Sequence, residues 1–576
     1  MDCWELARGV QADSLLEHLR RVSAGARISG SADEAAAFDY IEQTLGGLGY
    51  SIKREQVPAL IGYPLDSTLE VLGPERLTLP CNGYSLTPST PPEGIEGDLV
   101  YVGAGVASDY QGKDVRGKIV LSDGLATPAK VAVADGTGAM AQIHVNDERI
   151  HEMCISSVWG PPTPRHRGEL PRMPAIAVTA DSGRRLRSLA EAGSARVRIR
   201  TRTYLDWTAI PLLTADLAGA EDLFVLFSAH VDSWHQGAMD NGSGNAIQLL
   251  VGQLLAKHRT GLRRGVRLAF WSGHSHGRYA GSTWYADHHW QELYERCAVH
   301  VNVDSVGGMG AEILSDAPTM AETYGLAGEL IRKIGGQELD YRRMGRAGDQ
   351  SFWGIGVSSM FDTLSQQPAS GSASAAATAS LSGGGRRSGG FGWWWHTTED
   401  TLDKIDPEKL LRDARIYVAG LWRLCTDALL PLDLAATANE LAEQMQAAQA
   451  AARRRLDLSE PIDIAKRLAR DIEALDADAS RQAPVQANAL RVRLSRELVP
   501  IGYTAEGRFD HDPALTQSPL PALAGCARLG EVDENSEEYH MLLVEMTRQR
   551  NRIVFGLSNA ARLVAEALST RRPAHV

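Results

Sequence analysis

Several apolar runs in this chain are followed by histidine or aspartate, the side chains that hold divalent cations in proteins. His230 ends the run "LFVLFSAH", with Asp232 and Asp240 after it; Asp304 follows "AVHVNV", and His396 lies in "WWWHTTEDTLDKID". Imidazole nitrogens and carboxylate oxygens both offer lone pairs to zinc and similar ions. One such residue is weak evidence, because histidines and aspartates also cap helices and pair in cores. Together they predict a divalent-metal site.

A second group of polar side chains lies in "FWSGHSHGRYAGS", residues 270–282, between a strand pattern and a helix pattern. His276 is predicted to bind metal there. Tyr279 is predicted to reach the site as a hydrogen-bond donor to a developing oxyanion. His274 and Ser275 lie directly before His276 and are further candidate catalytic residues.

The elements that precede these side chains have the patterns of buried strands alternating with helices. The strand patterns are "EDLFVLFSAHVDS", "GVRLAFWSGHS" and "CAVHVNVDSVGG", and the helix patterns between them are "NAIQLLVGQLLAKH" and "STWYADHHWQELYE". This alternation predicts an α/β fold with a mixed, mostly parallel sheet flanked by helices. Such sheets bind their ligands at the carboxyl ends of the strands, where the histidines and aspartates lie.

Changes in composition divide the chain into domains. Residues 1–90 and 205–430 are predicted to form the domain with the metal site. Residues 91–204, with short β-rich runs separated by turns, predict an inserted β-rich domain. Within the main domain, residues 366–392 are rich in Ser, Ala and Gly and predict a flexible loop. Residues 431–576 have helical periodicity and predict a separate helical domain.

Length and composition predict a soluble multidomain protein. Its 576 residues exceed what one core organises, and 44% hydrophobic with 23% charged residues is typical of globular proteins. No apolar run approaches the ~20 residues of a membrane span, the amino terminus lacks a signal-peptide pattern, and six scattered cysteines favour reduced thiols. The net charge of −12 disfavours nucleic-acid binding. We expect a cytoplasmic protein that binds neither membranes nor nucleic acids.

In order and spacing, five segments resemble metallopeptidase family 28, which contains two-metal aminopeptidases, glutamate carboxypeptidase and the transferrin receptor. They are "HVDSWHQGAMDNGSG", "FWSGHSHGRYAGS", "VNVDSVGG", "AGDQSFWGIGVSSM" and "HTTEDTLDKID". Residues 97–200, with "DVRGKIVLSDG", resemble the protease-associated domain, and the C-terminal helices resemble the dimerisation domain of larger members. The resemblance implies a zinc exopeptidase-like fold and a homodimer.

The resemblance also implies two divalent ions, with zinc as the first expectation and iron or manganese as alternatives. The implied metal ligands are His230, Asp240, His276, Asp304 and His396. Asp240 would bridge the two ions. Asp232 matches an aspartate that does not bind metal itself but orients the first histidine ligand through its other ring nitrogen.

The chain departs from the family pattern at Ser275 and His276, where family hydrolases usually carry two adjacent glutamates. The first glutamate is the general base for the metal-activated water, and the second is a metal ligand. His276 can still bind metal, but Ser275 cannot act as a carboxylate base. His274 or a displaced His276 is a candidate base, since an unperturbed imidazole has a pKa near ~6.5.

Three functions are compatible with these residues. The favoured one is a metallohydrolase that cleaves an amide or peptide bond of a small peptide or amino-acid conjugate through metal-bound hydroxide, as aminopeptidases and carboxypeptidases do. The second is a divergent family member with a non-peptide small-molecule substrate. The third is a non-catalytic receptor-like or scaffolding homologue. The retained ligand-type side chains favour an enzyme over a scaffold.

Overall fold

The structure is a computed structural model, and it describes residues 2–72, 76–193, 195–381, 389–477 and 483–569. The helices are α1 Cys3–Arg8, α2 Ala12–Val22, α3 Ala32–Gly47, α4 Pro128–Asp135, α5 Ala180–Glu191, α6 Gly244–Lys257, α7 Ala280–His288, α8 Trp290–Arg296, α9 Ala321–Leu330, α10 Ala373–Leu381, α11 Pro407–Thr426, α12 Leu434–Ala451, α13 Ser459–Ala477, α14 Pro484–Tyr503, α15 Gly525–Glu531 and α16 Glu537–Ser569. The strands are β1 Ser51–Val71, β2 Leu77–Leu79, β3 Cys81–Gly83, β4 Ile95–Tyr101, β5 Ile119–Asp123, β6 Ala141–Val145, β7 Ala175–Val178, β8 Arg196–Leu217, β9 Phe224–His230, β10 Gly265–Trp271, β11 Cys297–Asn302 and β12 Ser358–Met360.

Four parallel strands form the centre of the main sheet, in the spatial order β12, β11, β9, β10. Every residue of β9, β10 and β11 is buried, which explains why these strands are continuous apolar runs. Alternate residues of β9 face two different apolar clusters: Phe227 packs with α6 and α11, whereas Leu226 packs with α7 and α8. Helices therefore cover both faces of this sheet.

A long antiparallel ribbon joins the main sheet to the inserted segment. β1 and β8 pair from Ser51 opposite Asp216 to Val71 opposite Val197. At one end β8 pairs with β10, and at the other it pairs with β4. The same two strands thus belong to the main domain and to the inserted segment.

The inserted segment is an α/β unit, although the sequence predicted a β-rich one. β4, β5, β6 and β7 are parallel neighbours, and β3 closes the edge antiparallel to β7. α4 and α5 pack with this sheet. The sequence of α4, "PAKVAVAD", contains two valines, which are more typical of strands and obscured the helix. Because β3 precedes residue 91, the unit also uses residues outside the predicted range.

The loop that carries His396 ends at a well-defined helix start. The carboxylate of Asp406 accepts hydrogen bonds from the backbone N–H groups of Glu408 and Lys409, at 2.9 and 3.2 Å. Pro407 occupies the first position of α11, where a missing N–H costs nothing. The cap fixes where the chain leaves the site edge of the sheet and enters the core.

The C-terminal helices α12 to α16 have a core of their own, which includes Leu441, Leu498 and Leu557. They are nevertheless tied to the main domain, because the buried guanidinium of Arg496 in α14 donates hydrogen bonds to main-domain backbone carbonyls. The acceptors are Leu293, Tyr294, Gly356 and Cys297.

The predicted fold class is confirmed, since a mixed sheet with a parallel centre is flanked by helices. No helix within the described ranges combines the length and the apolar composition that crossing a bilayer requires.

The segment 366–392, predicted as a flexible loop, contains the helix α10. Its first N–H groups, at Ala373 and Ser374, donate to the carboxylate of Asp147 in the inserted unit, at 2.7 and 3.0 Å. The alanine-rich sequence "ASAAATASL" has high intrinsic helix propensity, which outweighs its low complexity. Residues 382–388 of this prediction lie outside the described residues.

Candidate metal centre

The carboxyl ends of parallel strands bring most of the predicted ligands to one edge of the sheet. His230 is the last residue of β9, while His274 and Asp304 follow shortly after β10 and β11. Asp240 lies between β9 and α6, and His396 lies shortly before α11. Neighbouring parallel strands end at the same edge, so side chains that are far apart in sequence meet there.

His230 is surrounded by carboxylates. Its Nδ1 is 2.9 Å from the backbone carbonyl of Asp232, an acceptor that keeps a proton on Nδ1 and leaves Nε2 as the nitrogen that can bind a metal ion in place of its proton. Nε2 lies 3.2 Å from Asp240 Oδ1 and 3.4 Å from Asp304 Oδ1. It is buried and has no hydrogen-bond partner in the described part of the chain. A lone pair directed between two carboxylates is suited to a metal ion.

Asp240 contacts two histidines with its two oxygens. Oδ1 faces His230, and Oδ2 is 2.9 Å from His396 Nε2. Burial alone raises the pKa of Asp240, but the imidazoles of His230 and His396 outweigh burial and hold this pKa well below its usual range. Asp240 is therefore a carboxylate at neutral pH, and it can bridge one cation on the His230 side and another on the His396 side.

His396 is positioned by the inserted unit. Its Nδ1 is 2.7 Å from the backbone carbonyl of Glu152, so that Nε2 presents its lone pair to Asp240. The imidazole stacks on Trp395, with the ring centroids 3.6 Å apart. The inserted unit thus helps to build the site.

His274, a candidate base in the sequence, lies inside this cluster. Its Nδ1 is 3.0 Å from the buried carboxylate of Asp349, which also accepts a hydrogen bond from Ser282 Oγ at 2.8 Å. Its ring stacks on His230 at 3.8 Å, and its Nε2 is 4.0 Å from Asp304 Oδ2. One ligand atom each from His230, His274 and Asp304 lies within 4.8 Å of the others. When a histidine binds a metal ion through one ring nitrogen, its other ring nitrogen is commonly hydrogen-bonded to a carboxylate, as Nδ1 of His274 is to Asp349.

The structure does not bring His276, a predicted ligand, into the cluster. Its Nδ1 lies 2.9 Å from Ser29 Oγ and 3.4 Å from an oxygen of Asp232, and it does not line the adjoining cavity. In an extended chain His274 and His276 would point to the same side. The chain instead turns after β10, with a left-handed backbone at Gly273, so the two imidazoles face different partners. His274, and not His276, therefore lies with the other ligand-type side chains, beside His230 and Asp304.

Asp232 holds the loop that carries His274. Its carboxylate accepts hydrogen bonds from the N–H groups of Ser275 and His274, at 2.8 and 3.2 Å, and from Ser29 Oγ at 3.0 Å. The contact that orients His230 is made chiefly by the Asp232 carbonyl. One aspartate therefore positions two imidazoles, one through its backbone and one through its side chain.

Two buried charged residues that the sequence analysis did not single out support the loop between β9 and α6. The Arg27 guanidinium donates to backbone carbonyls of that loop. Its acceptors are Val231, Gln236 and Gly237, at 2.6, 2.7 and 2.9 Å. Asp400 accepts from the N–H groups of Met239 and Asp240, and burial raises its pKa to about 7. Asp400 lies four residues after His396, but Arg27 has no local signal, because its partners are some two hundred residues away.

A cavity of about 80 Å³ opens beside the cluster. Its lining includes the predicted residues Asp240, His274, Ser275, Tyr279, Asp304 and His396. Burial raises the pKa of Tyr279 to about 12, so its hydroxyl is protonated at neutral pH. Ser275 Oγ is buried and has no hydrogen-bond partner among the described residues. Apolar side chains also line this cavity, among them Met153, Phe391 and Trp395.

These donors fit a divalent cation. The unpartnered Nε2 of His230 and the carboxylates of Asp240 and Asp304 form a nitrogen and oxygen donor set that suits zinc, iron or manganese. The His230 side offers two imidazoles and two carboxylates, whereas the other side offers His396 Nε2 and the second oxygen of Asp240.

Comparisons with known proteins point to the same segment. The model of the family described as Peptidase family M28 matches residues 213–420. Carboxypeptidase Q of Bos taurus is 25% identical over 277 residues, which cover 46% of this chain and 58% of that protein. A probable lipoprotein aminopeptidase of Mycobacterium tuberculosis is 27% identical over 314 residues, which cover 52% of this chain and 60% of that protein. The chain thus spans 58% to 60% of the length of these curated relatives.

Solved structures share the fold. A peptidase M28 precursor from Shewanella amazonensis superposes with a TM-score of 0.57 at 20% identity, covering 73% of this chain and 95% of its own. A zinc aminopeptidase from Bacillus subtilis superposes with a TM-score of 0.54 at 20% identity, covering 72% and 96%. At this identity the likeness concerns the fold alone, and it agrees with the α/β architecture described above.

Proposed function

Because residues 213–420 match the model of the family described as Peptidase family M28, we propose that this protein is a metal-dependent hydrolase that cleaves a peptide or amide bond of a small peptide or amino-acid conjugate, as an exopeptidase. One observation carries the proposal: imidazoles and carboxylates from separate strand ends converge on one cavity. Those side chains are Asp240, His274, Asp304 and His396, which line the cavity. His230 does not line it, but its Nε2 lies 3.2 Å from Asp240 and 3.4 Å from Asp304.

We assign two divalent cations to the cluster, with zinc as the expected metal. The proposed ligands of the first are His230, Asp240, His274 and Asp304. The second would be held by His396 and the other oxygen of Asp240. Bound there, such cations polarise a peptide carbonyl and lower the pKa of a water molecule.

The chain's own groups prepare this site in three ways. The carbonyls of Asp232 and Glu152 and the carboxylate of Asp349 hold the Nδ1 atoms of three histidines, so each Nε2 is free to bind. The protonated hydroxyl of Tyr279 can donate to the oxygen of the scissile carbonyl as that oxygen gains charge. The apolar side chains Met153, Phe391 and Trp395 in the cavity lining can exclude water from part of a bound substrate.

His274 is assigned to the metal and not to proton transfer. Its Nδ1 is engaged by Asp349, and its Nε2 faces Asp304. Ser275 has a hydroxyl and no carboxylate that could accept a proton. Cations held by the proposed ligands would therefore have to supply most of the activation of water.

The test combines metal content with hydrolysis. Full-length protein is expected to hydrolyse dipeptides or aminoacyl amides, to lose this activity after chelation, and to regain it with zinc. Asp240→Asn should lower both bound metal and kcat/KM by more than about 100-fold, since it removes the bridging carboxylate. The exposed Asp222→Asn is the control and should change neither. Hydrolysis that survives complete removal of metal would exclude the proposal.

We further propose that the inserted unit is a protease-associated domain and that the protein acts in the cytoplasm as a homodimer through its C-terminal helices. Met541, Val544 and Phe555 support the dimer, because they are exposed apolar side chains on one face of α16. The six free cysteines are consistent with a reducing compartment. Light scattering should give twice the chain mass of 62.3 kDa, and a monomer at micromolar concentration would exclude the dimer.

A further inference from the structure

Arg278 is a buried cation in the wall of the cavity beside the metal cluster. Its exposed fraction is 6%, and its Nε has no hydrogen-bond partner among the described residues. Nη2 makes one long hydrogen bond, 3.3 Å, to the backbone carbonyl of Ala514. The guanidinium also lies over the ring of Tyr279, 4.8 Å from its centroid. These contacts leave most of its donors unused.

A comparison within the chain shows what Arg278 lacks. Arg267 is similarly buried, but it pairs with the carboxylates of Asp216 and Glu292. Arg278 has no carboxylate within ion-pair distance in the described part of the chain. An unpaired buried cation is costly, and an anion that enters the cavity would remove that cost.

The backbone at this position is also unusual. Arg278 and Tyr279 both have left-handed conformations, with φ of 52° and 70°. Side chains other than glycine adopt this region at a cost, and such residues persist where surrounding contacts hold them. Here Gly160 N–H donates to the Arg278 carbonyl at 2.6 Å, and Tyr279 N–H donates to the His274 carbonyl at 3.3 Å. The fold thus maintains a strained turn that keeps Arg278 at the cavity.

We propose that Arg278 binds a carboxylate of the substrate. A guanidinium with free donors matches a carboxylate in a planar, two-point contact, which a lysine cannot reproduce. The inference rests on the proposed function and narrows its substrates to peptides that carry a carboxylate next to the scissile bond. Two sources share this chemistry: the C-terminal carboxylate of a short peptide, and an acidic side chain.

The test measures binding, so that it does not depend on turnover. Zinc-loaded full-length protein is titrated calorimetrically with N-acetyl-leucine, with its neutral amide, and with the α-amide of N-acetyl-glutamate, which carries only a side-chain carboxylate. The same titrations are made with Arg278→Met and Arg278→Lys. A metal-free sample of each protein separates binding at Arg278 from binding at the cations.

For the wild type we expect at least one of the two acids to bind about 10- to 100-fold more tightly than the neutral amide, and which acid does so identifies the source of the carboxylate. Arg278→Met should remove this difference with and without metal, while Arg278→Lys should restore part of it. An unchanged preference for acid in Arg278→Met, or equal binding of acids and amide by the wild type, would overturn the proposal. If binding behaves as expected but no peptide is hydrolysed, the proposed function fails and the carboxylate site remains.

Discussion

Metal binding should distinguish His274 from His276, although they are only two residues apart. His274 faces His230 and Asp304, whereas His276 is held by Ser29 and Asp232. We expect His274→Ala to weaken zinc binding by about 100-fold or more, because it removes a ligand, and His276→Ala to weaken it by less than about 10-fold. Zinc affinity is measured by competition with a chromophoric chelator.

The matched control for these two variants is His288→Ala, which removes an exposed imidazole from α7 and should leave zinc affinity unchanged. If His274→Ala keeps its zinc and loses only turnover, His274 is a base and not a ligand. If His276→Ala releases zinc as readily as His274→Ala, the placement of the two imidazoles described above is wrong.

At the scale of single residues, the sequence predicted most of the cluster because the ligand-type side chains end an apolar run or lie in a loop between such a run and a helix pattern. His230, Asp240, Asp304 and His396 were identified in this way, and they lie together. Whether His274 or His276 faces the cluster depends on the conformation of the turn after β10. If that turn were one residue longer or shorter, the other imidazole would face the cluster. No pattern in the sequence reports that difference.

Among the elements, a partly buried ion-pair network joins β8, β10 and α8. Arg267 in β10 donates to Asp216 in β8 and to Glu292 in α8. The hydrogen bonds from Arg267 hold the pKa of Glu292 below its usual value, so folding favours its ionised form. This contribution to stability is present above the pKa of the unfolded chain and is lost as pH falls through the folded-state pKa.

Glu292→Gln should therefore destabilise the protein by about 1–2 kcal/mol at pH 7.5, and by less near pH 3.5. Thermal melts of the wild type and the variant at both pH values measure the difference. Glu295→Gln, on the same helix and without a contact to Arg267, is the control. If the difference in melting temperature between the wild type and Glu292→Gln is the same at both pH values, ionisation of Glu292 is not coupled to folding.

The elements themselves were predictable in unequal measure. Fully buried strands such as β9 and β10 can be recognised from the sequence as continuous apolar runs, because both of their faces are apolar. β1 and β8 were not recognised as one ribbon, since their pairing joins residues that are more than a hundred positions apart. α4 and α10 were missed because valine and low complexity each suggest something other than a helix.

On the scale of the whole molecule, Arg496 couples the C-terminal helices to the main domain. Arg496→Met keeps much of the apolar stem but leaves several buried carbonyls without a donor, and we expect a loss of about 3–5 kcal/mol. Calorimetry should show one unfolding transition in the wild type and two in the variant. Arg528 is exposed, and the control variant Arg528→Met should unfold at the same temperature as the wild type. A single transition at the wild-type temperature in Arg496→Met would show that other contacts hold the domains together.

The long ribbon also has a consequence for how the chain is made. β1 leaves the ribosome well before β8, its partner along its whole length, and at ~5–20 residues per second the wait is on the order of 10 s. During that time a strand of 21 residues offers unpaired backbone groups to any other strand nearby. The proposed metal ligands come later still, from His230 onward, so a cation bound by them could not stabilise the nascent fold in this interval. Biosynthesis of this protein therefore has a vulnerable period set by its topology.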